Sequence, residues 1–299
     1  MKKQWVVGVL LLFLVTMGIL ALRAAGSDKT GMAIKGGSTI GVIEINGVLG
    51  GTSTGTLMQG TGADSGIIMQ TIRDARERED IKAVVLRINS PGGTAVAAEE
   101  ISIELDKLRQ TGKPIIVSMG DVCASGGYWI ACSSDYIVAN ASTLTGSIGS
   151  IVEISNLQGL YEKLGIKQEV IKSGDLKDMG SSARQLTEQE KALFEDLVGD
   201  SYERFLVQVR AGRKGKINEE ELLNIADGRV FSGSKAFELG LVDGLGNYYD
   251  AVDIAEQKAG LKKGSSKIEV INTQNFWDRL LLNVSAARII PDAKFEMKY

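Results

Sequence analysis

The residues best suited to chemistry are Asp121-Val122-Cys123-Ala124-Ser125-Gly126-Gly127-Tyr128-Trp129-Ile130. They follow an apolar run, Pro114–Gly120, whose composition reads as a buried strand. Tyr128 to Ala131 then read as the opening of a buried helix. A serine at such a corner, between residues without bulk, leaves its hydroxyl open to a ligand. The first N–H groups of the helix point to where negative charge would develop. A serine N-cap in a tight turn calls for the same residues, so this stretch alone leaves both readings open.

A serine hydroxyl attacks well only when a base takes its proton. The 299-residue chain contains no histidine, which removes the Ser-His-Asp triad, the Cys-His pair and His-ligated zinc or iron. Acid–base work near neutrality therefore falls to Lys, Asp, Glu, Tyr or Cys, and a neutral lysine leads. A solvated lysine titrates near 10.4 and must fall by roughly 3 units, about 4 kcal/mol, which burial can supply. Lys177 is the candidate, in Lys172-Ser173-Gly174-Asp175-Leu176-Lys177-Asp178-Met179-Gly180 with apolar Leu176 and Met179 beside it. A surface lysine between two aspartates fits the same letters. Pairing with Asp178 would hold a lysine charged, although in an extended segment adjacent side chains face opposite ways. Gly92 and Gly93, in Ser90-Pro91-Gly92-Gly93-Thr94, let backbone N–H groups approach a ligand, or simply make a turn. Together with the N–H of Gly126 they can form an oxyanion hole.

These groups must be held by a fold. Thr39–Ile45, Ile81–Asn89, the run before the corner, Tyr136–Asn140 and Gln168–Lys172 read as strands. Ile67–Arg78, Ala95–Arg109 and Leu157–Leu164 read as helices. Thr187-Glu188-Gln189-Glu190 is a capping box opening a long helix to about Arg213. Further helices are expected at Asn218–Ala226, Gly233–Leu239 and Tyr249–Gly260, and a loop over Ser173–Arg184. This alternation predicts an α/β domain with largely parallel pairing and its site in loops after strand C-termini. Gly60-Thr61-Gly62 is no dinucleotide loop, because no strand immediately precedes it and the third glycine is misplaced.

Composition narrows the rest. A net charge of −3 gives no electrostatic case for nucleic acid. Cys123 and Cys132 lack metal-ligand spacing and are either two small core residues or a disulfide; neither a metal nor a cofactor is expected. Residues 1–4 are a basic leader, and 5–22 are uncharged and long enough for one membrane-spanning helix. The lysines before the span place the N-terminus in the cytoplasm. A cleaved signal peptide competes with this anchor, but no clean A-x-A site follows and Arg23 stands where small residues are wanted. Residues 23–38 form a glycine-rich linker, 39–273 the folded domain and 274–299 a tail. In the tail, Phe276, Trp277, Leu280, Leu281 and Val284 share a helical stripe that Pro291 ends. Its apolar face packs on its own domain, on a neighbouring subunit or on the membrane surface.

Several ordered segments resemble the signal peptide peptidase A family, in its short, single-domain bacterial form. They are Asn89–Gly93, Ala124–Tyr128, Thr143–Gly149, Ser173-Gly174-x-x-Lys177-Asp178, Ala226–Gly233 and Gly240–Asp243. The resemblance spans roughly residues 39 to 260 and leaves out the anchor and the tail. It implies a ClpP/crotonase-like α/β fold and a Ser/Lys dyad, with Ser125 as nucleophile and Lys177 as general base. It implies oxyanion N–H groups from Gly93 and Gly126, and a Ser147 hydroxyl that orients the lysine amine. Cys123 stands where the family usually has alanine. The family further implies a homo-oligomer on the outer face of the bacterial cytoplasmic membrane, with dyad partners drawn from neighbouring subunits. Its substrates are signal peptides left in the bilayer and other apolar peptides. A protease for other membrane proteins and a catalytically silent ring scaffold are the alternatives, and a membrane anchor suits a crotonase-type acyl-CoA enzyme poorly.

Overall fold

Strands whose two faces are both covered read as apolar runs, and three such runs build the centre of this protein. They are β1 (Thr39–Asn46), β2 (Ile81–Ser90) and β3 (Ile115–Ala124). The computed structural model describes residues 37–50 and 62–271. The chain divides between Gly37 and Ser38, and the sheet with all its helices belongs to the second unit. The expected leader, anchor, tail and most of the linker lie outside the described residues. Among the described residues no helix is long and apolar enough to cross a membrane.

Short strands complete the sheet: β4 (Tyr136–Ala139), β5 (Leu144–Gly146), β6 (Val230–Ser232), β7 (Gly244–Leu245) and β8 (Lys267–Val270). The order is β6-β5-β3-β2-β1-β8, with β4 beside β3 and carrying β7. Among the described pairs all are parallel except β5 with β6. The expected α/β class and mainly parallel pairing are present.

Side chains alternate between two cores, as the period of a strand requires. Ile43, Ile45, Val84, Leu86, Ile88, Val117 and Met119 face α1 (Ser65–Glu77), α2 (Ala95–Arg109) and α3 (Gly126–Ala131). Ile40, Val42, Ala83, Val85 and Ile116 face Ala251, Val252 and Ala255 of α8 (Tyr248–Lys258). The remaining helices are α4 (Gln158–Lys163), α5 (Glu188–Gly212), α6 (Glu219–Ile225) and α7 (Gly233–Glu238). The capping box at Thr187 forms as expected: Glu190 N–H donates to Thr187 Oγ1 at 3.2 Å and Thr187 N–H to Glu190 Oε2 at 2.8 Å.

Two expectations need correction. Gln168–Lys172 is not a strand; it has no ladder partner among the described residues, and Ile171 is fully exposed. Its apolar residues match a strand, but among the described residues Val170 and Ile171 stay exposed. The loop Ser173–Arg184 contains a 3-10 turn, Asp175–Asp178. The choice left open for the cysteines is settled, since Cys123 and Cys132 are buried free thiols. Burial pushes the Cys132 thiol up to about 12 and the Cys123 thiol higher still.

A buried ion pair fixes the far end of α5. Arg213, 1% exposed, grips both Asp243 oxygens at 2.9 Å, and its Nε donates to Gly240 O at 2.8 Å. Asp243 also accepts from Ile137 N–H at 2.8 Å and from Lys216, which joins α5 to β4.

Candidate active site

The site is assembled by strand register. β3 changes partner along its length: Ile116–Ser118 pair with β4, whereas Val122–Ala124 pair with β5. Ala124 lies opposite Gly146, so the next residues, Ser125 and Ser147, leave the sheet side by side. On the other side Ser90 pairs with Cys123, which brings the Pro91–Gly93 loop to the same corner. A register shift between Ile88 and Ser90 is patched by Asn89, whose Oδ1 accepts from Val122 N–H at 3.1 Å.

Ser125 has φ 51° and ψ −124°, a conformation that L residues seldom adopt. Its backbone is pinned from both sides: the N–H donates to Gly146 O at 2.9 Å, and its C=O accepts from Trp129 N–H at 2.9 Å. Its side chain makes no capping bond to α3, which removes the plain N-cap as its explanation. The hydroxyl is half-buried and lines the cleft instead. Strain held at a cleft by surrounding bonds is the kind that accompanies function.

The glycines beside it are required by space. A Cβ on Gly92, at φ 104°, would lie 2.7 Å from Ser125 Cβ and 3.0 Å from its Oγ. A Cβ on Gly93 would lie 2.1 Å from Leu49 O. Leu49 clamps this loop, donating its N–H to Gly92 O at 2.8 Å and accepting from Thr94 N–H at 3.2 Å. The amides of Gly93 and Gly126 are neighbours, for a Cβ on Gly126 would stand 3.4 Å from Gly93 N. Neither amide has a hydrogen-bond partner among the described residues. Two such donors beside a hydroxyl can hold the oxyanion of a tetrahedral intermediate.

The cleft holds about 820 Å³ and is walled by Leu49, Trp129, Ile151, Val152, Leu197 and Phe205. Asp227 is the charged residue at its edge, and Arg229 holds that carboxyl down at about 2. A second depression of about 650 Å³, with Ile154, Phe194 and Tyr202, shares Val152, Val198 and Asp227 with it. Sequence reading missed the part of α5 in both walls, although Phe194, Leu197, Val198 and Phe205 carry a helical apolar spacing.

Of the expected site residues, Ser125, Gly93, Gly126 and Ser147 line one cleft. Lys177 does not. It is exposed and lines a separate depression with Ser173, Gly174, Asp175, Leu176 and Gln189. The reason is the segment that carries it: residues 151–177 bury little apolar surface, and Ile151, Leu164, Val170 and Ile171 are exposed.

A half-buried serine at a strand-to-helix corner of a mainly parallel sheet, beside two unpartnered amides, is the arrangement that an α/β serine hydrolase needs. The fold is similar to that of a mutant of the 1510-N membrane-bound stomatin-specific protease solved with a substrate peptide. That match has 14% identity and a TM-score of 0.50, over 83% of this chain and 98% of that one. The chain belongs to peptidase family S49, whose profile matches residues 107–262, and is therefore a serine peptidase. It is 39% identical to a Synechocystis sp. protein named as a protease, over 73% of this chain and 76% of that protein. It is 36% identical to an Enterococcus faecium protein named as signal peptide peptidase SppA, over 73% of this chain. It spans 63% of that protein's length.

Proposed function

We propose that the protein is a membrane-anchored endopeptidase in which Ser125 and Lys177 form a dyad completed between copies of the chain. In this reading Lys177 of one copy takes the Ser125 proton as Oγ attacks the scissile carbonyl carbon. The amides of Gly93 and Gly126 receive the oxyanion, and the Ser147 hydroxyl orients the lysine amine. The protonated amine then gives its proton to the leaving nitrogen, and water, activated by the same amine, releases the acyl group. The carrying observation is the strained, uncapped Ser125 in a chain with no histidine. Lys177 is set apart from the cleft on a segment rich in exposed apolar side chains, which favours a second copy as its host.

The apolar walls around Ser125 suit extended apolar peptides, and the name of the Enterococcus faecium relative points to remnant signal peptides. Residues 5–22 would hold the enzyme in the bacterial cytoplasmic membrane as a single pass, N-terminus inside. The linker 23–38 would then carry the peptidase domain, 39–273, outside, with the tail 274–299 against a subunit or the bilayer. No cofactor and no nucleic acid take part in this scheme.

The test uses the full chain in detergent and an apolar peptide. Ser125→Ala and Lys177→Ala are each expected to be folded and inactive, and co-assembling them is expected to restore part of the activity. Activity in Lys177→Ala alone would sink the dyad and its base. No rescue in verified mixed assemblies would place both partners in one chain. Activity in Ser125→Ala would remove the nucleophile.

A further inference from the structure

The turn that carries Lys177 also carries Asp178, the carboxylate best placed by sequence to hold the lysine charged. The structure engages that carboxylate elsewhere. Asp178 Oδ1 accepts from Lys172 Nζ at 2.7 Å and Arg184 Nη2 at 2.9 Å, and Oδ2 accepts from Arg184 Nε at 3.0 Å. Arg184 reaches on to α5, where Nη1 donates to Glu190 Oε2 at 2.8 Å. Glu190 is 1% exposed and is locked in the capping box with Thr187. Lys172 closes the other side by donating to Asp175 O at 2.8 Å. Lys177 itself has no ion pair among the described residues.

We infer that Arg184 is a positioning residue for catalysis: it ties the Lys177 turn to α5 and keeps Asp178 from pairing with the Lys177 amine. This rests on the reading of Lys177 as general base. The charged groups around the turn are Lys172, Asp175, Asp178, Arg184 and Glu190, and Gln189 lines the same depression. Lys172 and Arg184 together balance Asp178 and Glu190, so the latch adds no net charge beside the amine. Arg184 first, and Lys172 after it, hold the Asp178 carboxyl well below the usual carboxylate range. Arg184 also holds Glu190 at about 2, so both acids stay ionised wherever a lysine base works. A mere spacer between turn and helix would not need two cations on one carboxylate.

Removing Arg184 leaves two carboxylates against Lys172 and makes the net charge around the turn one unit more negative. The base then holds its proton to higher pH. In the full-length protein, Arg184→Gln is expected to move the acid limb of kcat/KM upward by roughly half to one pH unit. Arg184→Lys keeps a cation and is expected to leave the limb near its wild-type position. Asp178→Asn leaves Arg184 paired with Glu190 and is expected to move the limb the opposite way, downward. Adding Asp178→Asn to Arg184→Gln is expected to bring the limb back. A uniform loss of rate with an unmoved limb in both single variants, while Lys177→Ala is inactive, overturns the inference and leaves the dyad standing. Activity in Lys177→Ala overturns the dyad and this inference with it. If Arg184→Gln does not fold, Asp178→Asn decides, because an unmoved limb there overturns the inference.

Discussion

Replacing Ser125 by glycine is expected to stabilise the protein while abolishing its activity. Ser125 sits at φ 51° and ψ −124°, held by bonds to Gly146 O and from Trp129 N–H. A non-glycine residue in so sparsely populated a region costs roughly 1–3 kcal/mol. Glycine removes that cost but loses about 0.5–1 kcal/mol through the greater freedom of its unfolded chain. Alanine keeps the strained Cβ beside Gly92 and lacks the hydroxyl, so Ser125→Ala is the proper reference. Taken at their midpoints, the two effects leave Ser125→Gly more stable than Ser125→Ala by about 1 kcal/mol, and by about 2.5 kcal/mol at most. For a domain of this size each kcal/mol raises Tm by about 2–4 °C. Urea and thermal unfolding of both variants, followed by circular dichroism, measure it. A Ser125→Gly variant no more stable than Ser125→Ala would refute the argument that the corner stores strain.

The glycine loop and the buried ion pair supply two further expectations. Gly93→Ala puts a methyl 2.1 Å from Leu49 O and must displace the loop, so kcat is expected to fall about 10²- to 10³-fold, as when one oxyanion donor is removed; peptide hydrolysis near wild-type rate would exclude Gly93 from the oxyanion hole. Asp243→Ala strands the buried Arg213 guanidinium, and a loss of about 3–5 kcal/mol in urea unfolding is expected. Burial pushes the Asp243 carboxyl up, but the bonds from Arg213 and Lys216 outweigh it and hold it below the usual carboxylate range. The pair's contribution is therefore complete above the ordinary aspartate pKa of about 4 and drains as pH falls below it. The stability gap between wild type and Asp243→Ala should close on acidification, and a gap constant down to about pH 3 would contradict the assignment.

The long elements could be read because their cause is local. Ala95–Arg109 matches α2 at both ends, and the capping box at Thr187 opens α5 where expected. Helix α5 gave up its start but not its role, since only its packing beside Trp129 shows that Leu197 and Phe205 wall the cleft. Strands of two or three residues, such as β5 and β7, are too short for a period to emerge, whereas the four-residue β4 was legible as Tyr136–Asn140. Gln168–Lys172 shows the opposite failure, where strand-like residues find no strand to join.

The components of the candidate site were set along the chain: no histidine, a serine at a glycine-rich corner after an apolar run, and a pair of glycines after another. Each depends on a few neighbouring residues, through backbone freedom and the apolar period. The meeting of Ser125 with Ser147 depends instead on the pairing of Ala124 with Gly146, and the glycine loop arrives through Ser90 opposite Cys123. Register across a sheet is chosen by the packing of whole strands, so no local pattern announces it. The same holds for Lys177. Nothing in its nine-residue segment tells that the fold sets it apart from the Ser125 cleft, because that follows from a segment whose apolar side chains find no cover among the described residues.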